Sequence, residues 1–103
     1  MAPNGGPSKF QHTVSRGNLN AYDHHSMYRP GEPAYADVVI NEPDVDVLVT
    51  LTDSSRGTVI DAQHSHKCHF AWQPPGSYQG VTIRIQILDW GPRVTMSYTI
   101  TFY

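Results

Sequence analysis

Two runs near the end of the chain, residues 81–88 and 94–103, alternate apolar and polar side chains almost without interruption. Because successive side chains of a strand point to opposite faces, this pattern predicts two half-buried strands that pair as an antiparallel hairpin. The residues expected in the core are Ile83, Ile85, Ile87, Met96, Tyr98 and Ile100. Any activity is then expected at the hairpin turn or in the loops beside it.

Shorter alternating segments precede this hairpin, at residues 36–40, 45–52, 58–62 and 67–72. In the last of these, Cys68, Phe70 and Trp72 share one face, which predicts a buried thiol. Strands at intervals of about a dozen residues, without helical periodicity, favour an all-β fold. We predict an antiparallel two-sheet β-sandwich, jelly-roll-like, with about six or seven strands.

Composition changes near residue 35. Residues 1–34 are rich in glycine and proline, which predicts a flexible leader with at most one short strand, around residues 10–14. Residues 35–103 are predicted to form the β-sandwich domain.

Charge and length exclude several classes of partner. The net charge is -2, and the seven Lys and Arg residues are scattered, so neither nucleic acid nor an anionic membrane is an expected partner. No apolar run approaches the roughly 20 residues that span a bilayer. The single cysteine rules out an intrachain disulfide. The compartment stays open between an exported protein whose leader was removed, which is slightly favoured, and a cytoplasmic one.

Three segments resemble the bacterial pre-peptidase C-terminal (PPC) domain. They are the strand and turn at residues 45–53, the Pro75-Gly76-Ser77-Tyr78 element leading into residues 81–85, and the strand at residues 97–100. The resemblance spans about residues 45–102. It implies a small β-sandwich accessory module that binds a polymer or assists a parent enzyme of an exported protein, in some members with calcium.

A histidine-rich segment is the first candidate for chemistry. His64, His66 and Cys68 share strand parity, and His69 follows. Imidazole and thiolate are ligands for Zn²⁺ and other transition metals. The segment also resembles the first metal motif of cupins, which makes a small metal-dependent enzyme using His64, His66 and His69 an alternative. A core cysteine with solvent-exposed histidines explains the same pattern.

Acidic residues form the second candidate. Six of the nine carboxylates lie between Asp37 and Asp61. Calcium takes six to eight oxygen ligands, and a turn at residues 41–44 would let carboxylates converge. The expected calcium ligands are Glu42, Asp44 and Asp46, although carboxylates on the wet face of a strand are also simply solvated.

Aromatic side chains form the third candidate. Trp90 lies in the predicted hairpin turn, where an exposed ring flanked by glycine and proline could stack on a sugar or anchor a peptide. A ring folded over the end of the sandwich is the structural alternative. Tyr78 precedes a strand, and either contacts ligand or bonds the backbone as a corner tyrosine.

The sequence therefore favours a non-catalytic binding or accessory module, because it holds no nucleophile elbow, His-Glu-x-x-His motif or phosphate loop. Its ligand would be a carbohydrate or protein polymer, or calcium, held by loops. The cupin-like metal enzyme is one alternative. A structural partner that pairs edge to edge through the last strand, ending at Tyr103, is another.

Overall fold

A computed structural model describes residues 8–103, which form eight β-strands and no helix. The strands are β1 (Ser8–Ser15), β2 (Ala21–Tyr28), β3 (Ala34–Ile40), β4 (Asp46–Asp53), β5 (Val59–Gln63), β6 (Lys67–Trp72), β7 (Gln79–Asp89) and β8 (Thr95–Phe102). Among residues 8–103, no helix is long and apolar enough to cross a membrane.

The strands form two antiparallel four-stranded sheets, in the orders β1-β8-β3-β6 and β2-β7-β4-β5. The first four strands pair with the last four in reverse order, β1 with β8, β2 with β7, β3 with β6 and β4 with β5. Pairings of β3 with β8 and of β4 with β7 then complete each sheet. The all-β, two-sheet prediction is confirmed.

The strand count is eight, so the prediction of six or seven is too low. Two eight-residue strands, β1 and β2, lie within the segment for which the sequence predicts at most one short strand. Each takes an outer position in its sheet, β1 beside β8 and β2 beside β7. The predicted leader also includes residues 1–7, which lie outside the described residues.

The predicted terminal hairpin is wrong, because β7 and β8 belong to different sheets. Alternation shows that one face of a strand is buried, but it carries no information about which strand lies beside it. The turn between them crosses from one sheet to the other. β8 is flanked by β1 and β3, so its backbone is already paired on both sides and it offers no free edge to another chain.

The core lies between the two sheets. All six residues predicted from the terminal runs are buried there, the least so being Ile87 at 5% exposure. Cys68 and Phe70 are also buried, and burial raises the pKa of the Cys68 thiol to about 11. Full burial of each large aliphatic or aromatic side chain stabilises the fold by about 1.5–3 kcal/mol.

Candidate functional site

The outer face of the β2-β7-β4-β5 sheet holds a groove of about 440 Å³. Strand pairing brings its polar walls together, since β2 and β4 flank β7. The side chains that matter for its chemistry are Asp23, His25, Thr50, Thr52, Thr82 and Arg84. They alternate with the buried residues of the same strands, so that a rigid core fixes their positions.

A bidentate ion pair spans two strands of the groove. Asp23 and Arg84 are direct partners in the β2–β7 register. Arg84 donates from Nε to Asp23 Oδ1 at 2.8 Å and from a terminal nitrogen to Oδ2 at 3.0 Å. The Arg84 hydrogen bond lowers the pKa of Asp23, which stays ionised, and the same contact raises the pKa of Arg84. The two charges therefore neutralise each other.

A chain of hydrogen bonds fixes three more polar groups beside this pair. His25 Nδ1 lies 2.9 Å from Thr82 Oγ1, and Ser54 Oγ lies 2.7 Å from the same hydroxyl. Each hydroxyl of the chain both donates and accepts, so a ligand hydroxyl could join it in either role. The groove thus presents donors and acceptors side by side.

Asp53 closes one end of the groove with a buried network. The residue is 4% exposed, and its Oδ1 accepts bonds from Ser55 N, Ser55 Oγ and Arg56 N at 2.9–3.1 Å. Gln79 Nε2 donates to Oδ2 at 2.9 Å, and Trp72 Nε1 donates to Gln79 Oε1 at 3.0 Å. These bonds, that from Gln79 first, hold the pKa of Asp53 at about 2.

A second polar cluster lies between the sheets, where β1 faces β2. The rings of His12 and His24 have centroids 4.5 Å apart, and His24 Nε2 is 2.8 Å from the Tyr98 hydroxyl. His12 also stacks on Tyr98, with centroids 5.7 Å apart. Burial lowers the pKa of His24, and His12 lowers it further. We call these residues, together with Tyr22, the tyrosine–histidine cluster.

Tyr22 contributes a buried hydroxyl that has no hydrogen-bond partner among the residues that the structure describes. Burial raises the pKa of Tyr98 to about 12, and the neighbouring Tyr22 phenol adds to this effect. Polar atoms buried without partners are rare, because each one has lost its bonds to water. A surface pocket of about 360 Å³ lies beside the cluster and is lined by Phe10, His12, Asp23, His24 and His25.

The three carboxylates predicted as calcium ligands do not converge. Glu42 Oε1 accepts a bond from Ser97 N at 2.9 Å, and Asp44 receives Arg93 Nε at 2.9 and 3.0 Å. Asp46 pairs with His64. Among residues 8–103, no three His, Cys, Asp or Glu side chains gather in a set that could hold a metal ion. Calcium binding stays a prediction, for which a calcium-dependent rise in melting temperature is the measurement.

The predicted transition-metal residues likewise point to separate partners. His64 contacts the Asp46 carboxylate, His66 Nε2 contacts the Val45 carbonyl, and His69 Nδ1 contacts Asp37. The shared parity of His64 with Cys68 requires one continuous strand, but β6 begins only at Lys67. The structure instead joins one residue of each predicted cluster, since His64 of the histidine segment pairs with Asp46 of the acidic one.

Trp90 is not an exposed stacking platform. Its side chain belongs to the core at 7% exposure, which matches the alternative of a ring folded over the end of the sandwich. The next residue, Gly91, has a φ of +59°, and a Cβ there would lie 2.7 Å from the Asp44 carbonyl oxygen. This turn therefore packs tightly onto the β3–β4 connection. Tyr78 is 64% exposed and thus accessible to a ligand.

Sequence reasoning did not single out the groove. Thr82 and Arg84 are visible as the polar parity of β7, but the same pattern describes any wet face. Asp23 and His25 lie in β2, within the segment predicted as a leader. Pairing of β2 with β7 is what turns these scattered residues into one surface.

Neither a protein-family model nor a curated protein of significant similarity matches this sequence.

Proposed function

We propose that this protein is a non-catalytic jelly-roll binding module that holds a neutral carbohydrate in the groove on the outer face of the β2-β7-β4-β5 sheet. The reverse-order pairing of the first four strands with the last four is the jelly-roll arrangement. Lectin domains and cupins share that architecture. Since fold alone does not decide function, the proposal rests on the groove.

The set of fixed hydrogen-bonding side chains in the groove carries the proposal, and the size of the groove permits it. Its volume of about 440 Å³ lies within the range of about 300–1,000 Å³ that is usual for small-molecule sites. Its lining includes residues of all four strands of the sheet, which gives a polymer chain a path across it. This location differs from the loops that the sequence favours, because the polar residues gather on the sheet.

The chemistry of the groove suits a polyhydroxylated ligand. The Asp23–Arg84 pair and the His25–Thr82–Ser54 chain place fixed donors and acceptors within one surface. Neighbouring hydroxyls of a sugar need both kinds of group. Rigid placement on strands lowers the entropic cost of binding.

Electrostatics favour a neutral ligand over an anionic one. Arg84 is the one Lys or Arg among the residues that line the groove, and Asp23 already neutralises it. The nearby Asp53 carboxylate is buried and ionised. An anion would therefore meet no uncompensated lysine or arginine, whereas a neutral sugar would meet oriented dipoles.

Affinity electrophoresis in gels that contain neutral polysaccharides tests the proposal, followed by calorimetry with oligosaccharides of the retarding polymer. Arg84→Ala is expected to weaken binding roughly tenfold or more, because a hydrogen bond to a charged group contributes about 1.5–3 kcal/mol. Lys9→Ala, on the outer face of the other sheet, is the matched control and should bind like the wild type. Equal binding by both variants, or no retardation by any neutral polysaccharide, would overturn the proposal.

As an accessory module, the protein would act beside a catalytic partner that handles the same polymer. The resemblance to the PPC domain supports this context, and it stays a prediction. Co-purification of a polymer-degrading enzyme whose retention on its substrate depends on Arg84 would support it.

A further inference from the structure

We propose that the tyrosine–histidine cluster between β1 and β2 is a copper(II) site whose ligands are different from the side chains of the carbohydrate groove. It brings two imidazoles and two phenol oxygens to one side of the sandwich. Nitrogen and oxygen donors of this kind suit Cu²⁺, which also binds most tightly among the divalent first-row metals.

The first observation is the spacing of two donor atoms. His24 Nε2 and the Tyr98 hydroxyl oxygen are 2.8 Å apart. Two ligands about 2.0 Å from a metal are separated by about 2.8 Å when they meet at a right angle, and by about 3.3 Å in a tetrahedron. The hydrogen bond that joins these two atoms therefore holds them at the separation that two copper ligands at a right angle would also have.

The second observation is the Tyr22 hydroxyl, which is buried and lacks a partner among the described residues. Tyr22 and His24 lie two residues apart on the inward face of β2, opposite the buried Ile85 and Ile83 of β7. A metal ion bound between His24 and Tyr98 would give the Tyr22 hydroxyl oxygen an electrophilic partner. An empty metal site would leave a buried oxygen without a partner, as at Tyr22, next to two donor atoms at ligand spacing, as at His24 and Tyr98.

The third observation is access. His12 is exposed on the outer strand β1, and its ring centroid lies 4.5 Å from that of His24. Because His12 is exposed, its side chain can change rotamer at the surface of the sandwich. The surface pocket of about 360 Å³ that Phe10, His12 and His24 help to line makes both histidine rings accessible to a metal ion from solvent. On binding, the metal replaces the hydroxyl proton of Tyr98, which leaves to solvent.

The test uses the full chain, purified without a histidine tag and titrated with Cu²⁺. We expect one equivalent to bind, with nitrogen hyperfine structure in the electron paramagnetic resonance spectrum. A phenolate-to-copper charge-transfer band should appear in the visible spectrum. Tyr98→Phe should abolish that band, and Tyr22→Phe should weaken binding.

His12→Ala should weaken copper binding at least roughly tenfold, the loss that removal of even an outer-shell partner typically causes. His64→Ala and His69→Ala are matched controls, because both histidines are exposed and paired with carboxylates elsewhere. Both controls should keep the band and the affinity. His12 lies on the surface, so its variant tests the site even if Tyr98→Phe fails to fold.

Two results would overturn the site. One is the absence of stoichiometric copper binding. The other is copper binding that the His12 and Tyr98 variants retain at wild-type affinity, whether or not the His64 or His69 variant abolishes it.

Discussion

Two buried polar networks of the same sandwich differ in how completely their groups are paired. In the Asp53–Gln79–Trp72 network, both carboxylate oxygens, both amide atoms and the indole nitrogen have partners at 2.9–3.1 Å. In the tyrosine–histidine cluster, the Tyr22 hydroxyl has none among residues 8–103. The first network is complete without any ligand, so we assign it to the fold. The second lacks a partner, which is why we assign it to binding.

The largest expected effect comes from breaking the complete network at its centre. Asp53→Ala should lower the free energy of unfolding by roughly 2–4 kcal/mol, since it leaves Gln79 and the turn amides without an acceptor. Urea denaturation is the measurement. Asp61→Ala is the control, because its carboxylate makes only exposed hydrogen bonds with its neighbours. Equal losses in the two variants would show that the Asp53 network does not hold the fold.

The pH dependence of the same carboxylate gives a smaller effect. The pKa of Asp53 is lowered from its usual 3.8 to about 2 in the folded protein. The stability that this shift contributes is present above pH 4 and is lost as the pH falls through about 2. The difference in melting temperature between wild type and Asp53→Asn should therefore narrow from pH 5 to pH 2. A constant difference over that range would contradict the assignment.

The contrast also explains what the sequence could and could not predict. Strands β4 and β7 are visible because apolar residues fill every second position, and period-two alternation is a local property. In β1 and β2 several of the inward positions carry His12, Tyr22 and His24, so the alternation fades where the proposed copper site lies. Local rules fail where polar side chains take inward positions that apolar ones usually fill.

Neighbour relations between strands were the other feature beyond prediction, and the sequence left an exposed and a buried Trp90 as alternatives. Whether β7 lies beside β8 or beside β4 depends on contacts that are distant along the chain. The burial of Trp90 depends on the core beneath it, and the close approach of Gly91 to the Asp44 carbonyl fixes the turn there. Turn composition predicts a bend but not what lies beneath it. Locating the site therefore required the pairing of strands in three dimensions, whereas the core residues could be predicted from the sequence alone.

An intermediate effect is expected where the complete network reaches the aromatic core. Gln79→Met keeps the length of the side chain but removes the acceptor of Trp72 Nε1 and the donor to Asp53 Oδ2. We expect a loss of about 1–2 kcal/mol in the free energy of unfolding. Gln11→Met, at an exposed position of β1, is the matched control and should change stability by less than about 0.5 kcal/mol. If Gln79→Met lowers the free energy of unfolding no more than the control does, the stabilising network ends at Asp53 and does not include Gln79.

The smallest expected change in the free energy of unfolding concerns the unpaired Tyr22 hydroxyl. It also distinguishes the two networks by sign, because removing this group should not lower stability. Tyr22→Phe removes a buried polar group that makes no hydrogen bond within the described chain, so the metal-free protein should keep its stability or gain up to about 1 kcal/mol. Tyr28→Phe is the matched control, since the Tyr28 hydroxyl donates to the Tyr35 carbonyl at 2.9 Å. That variant should lose about 1 kcal/mol. If thermal and urea unfolding show equal losses for both variants, the Tyr22 hydroxyl is already paired, and the difference between the two networks disappears.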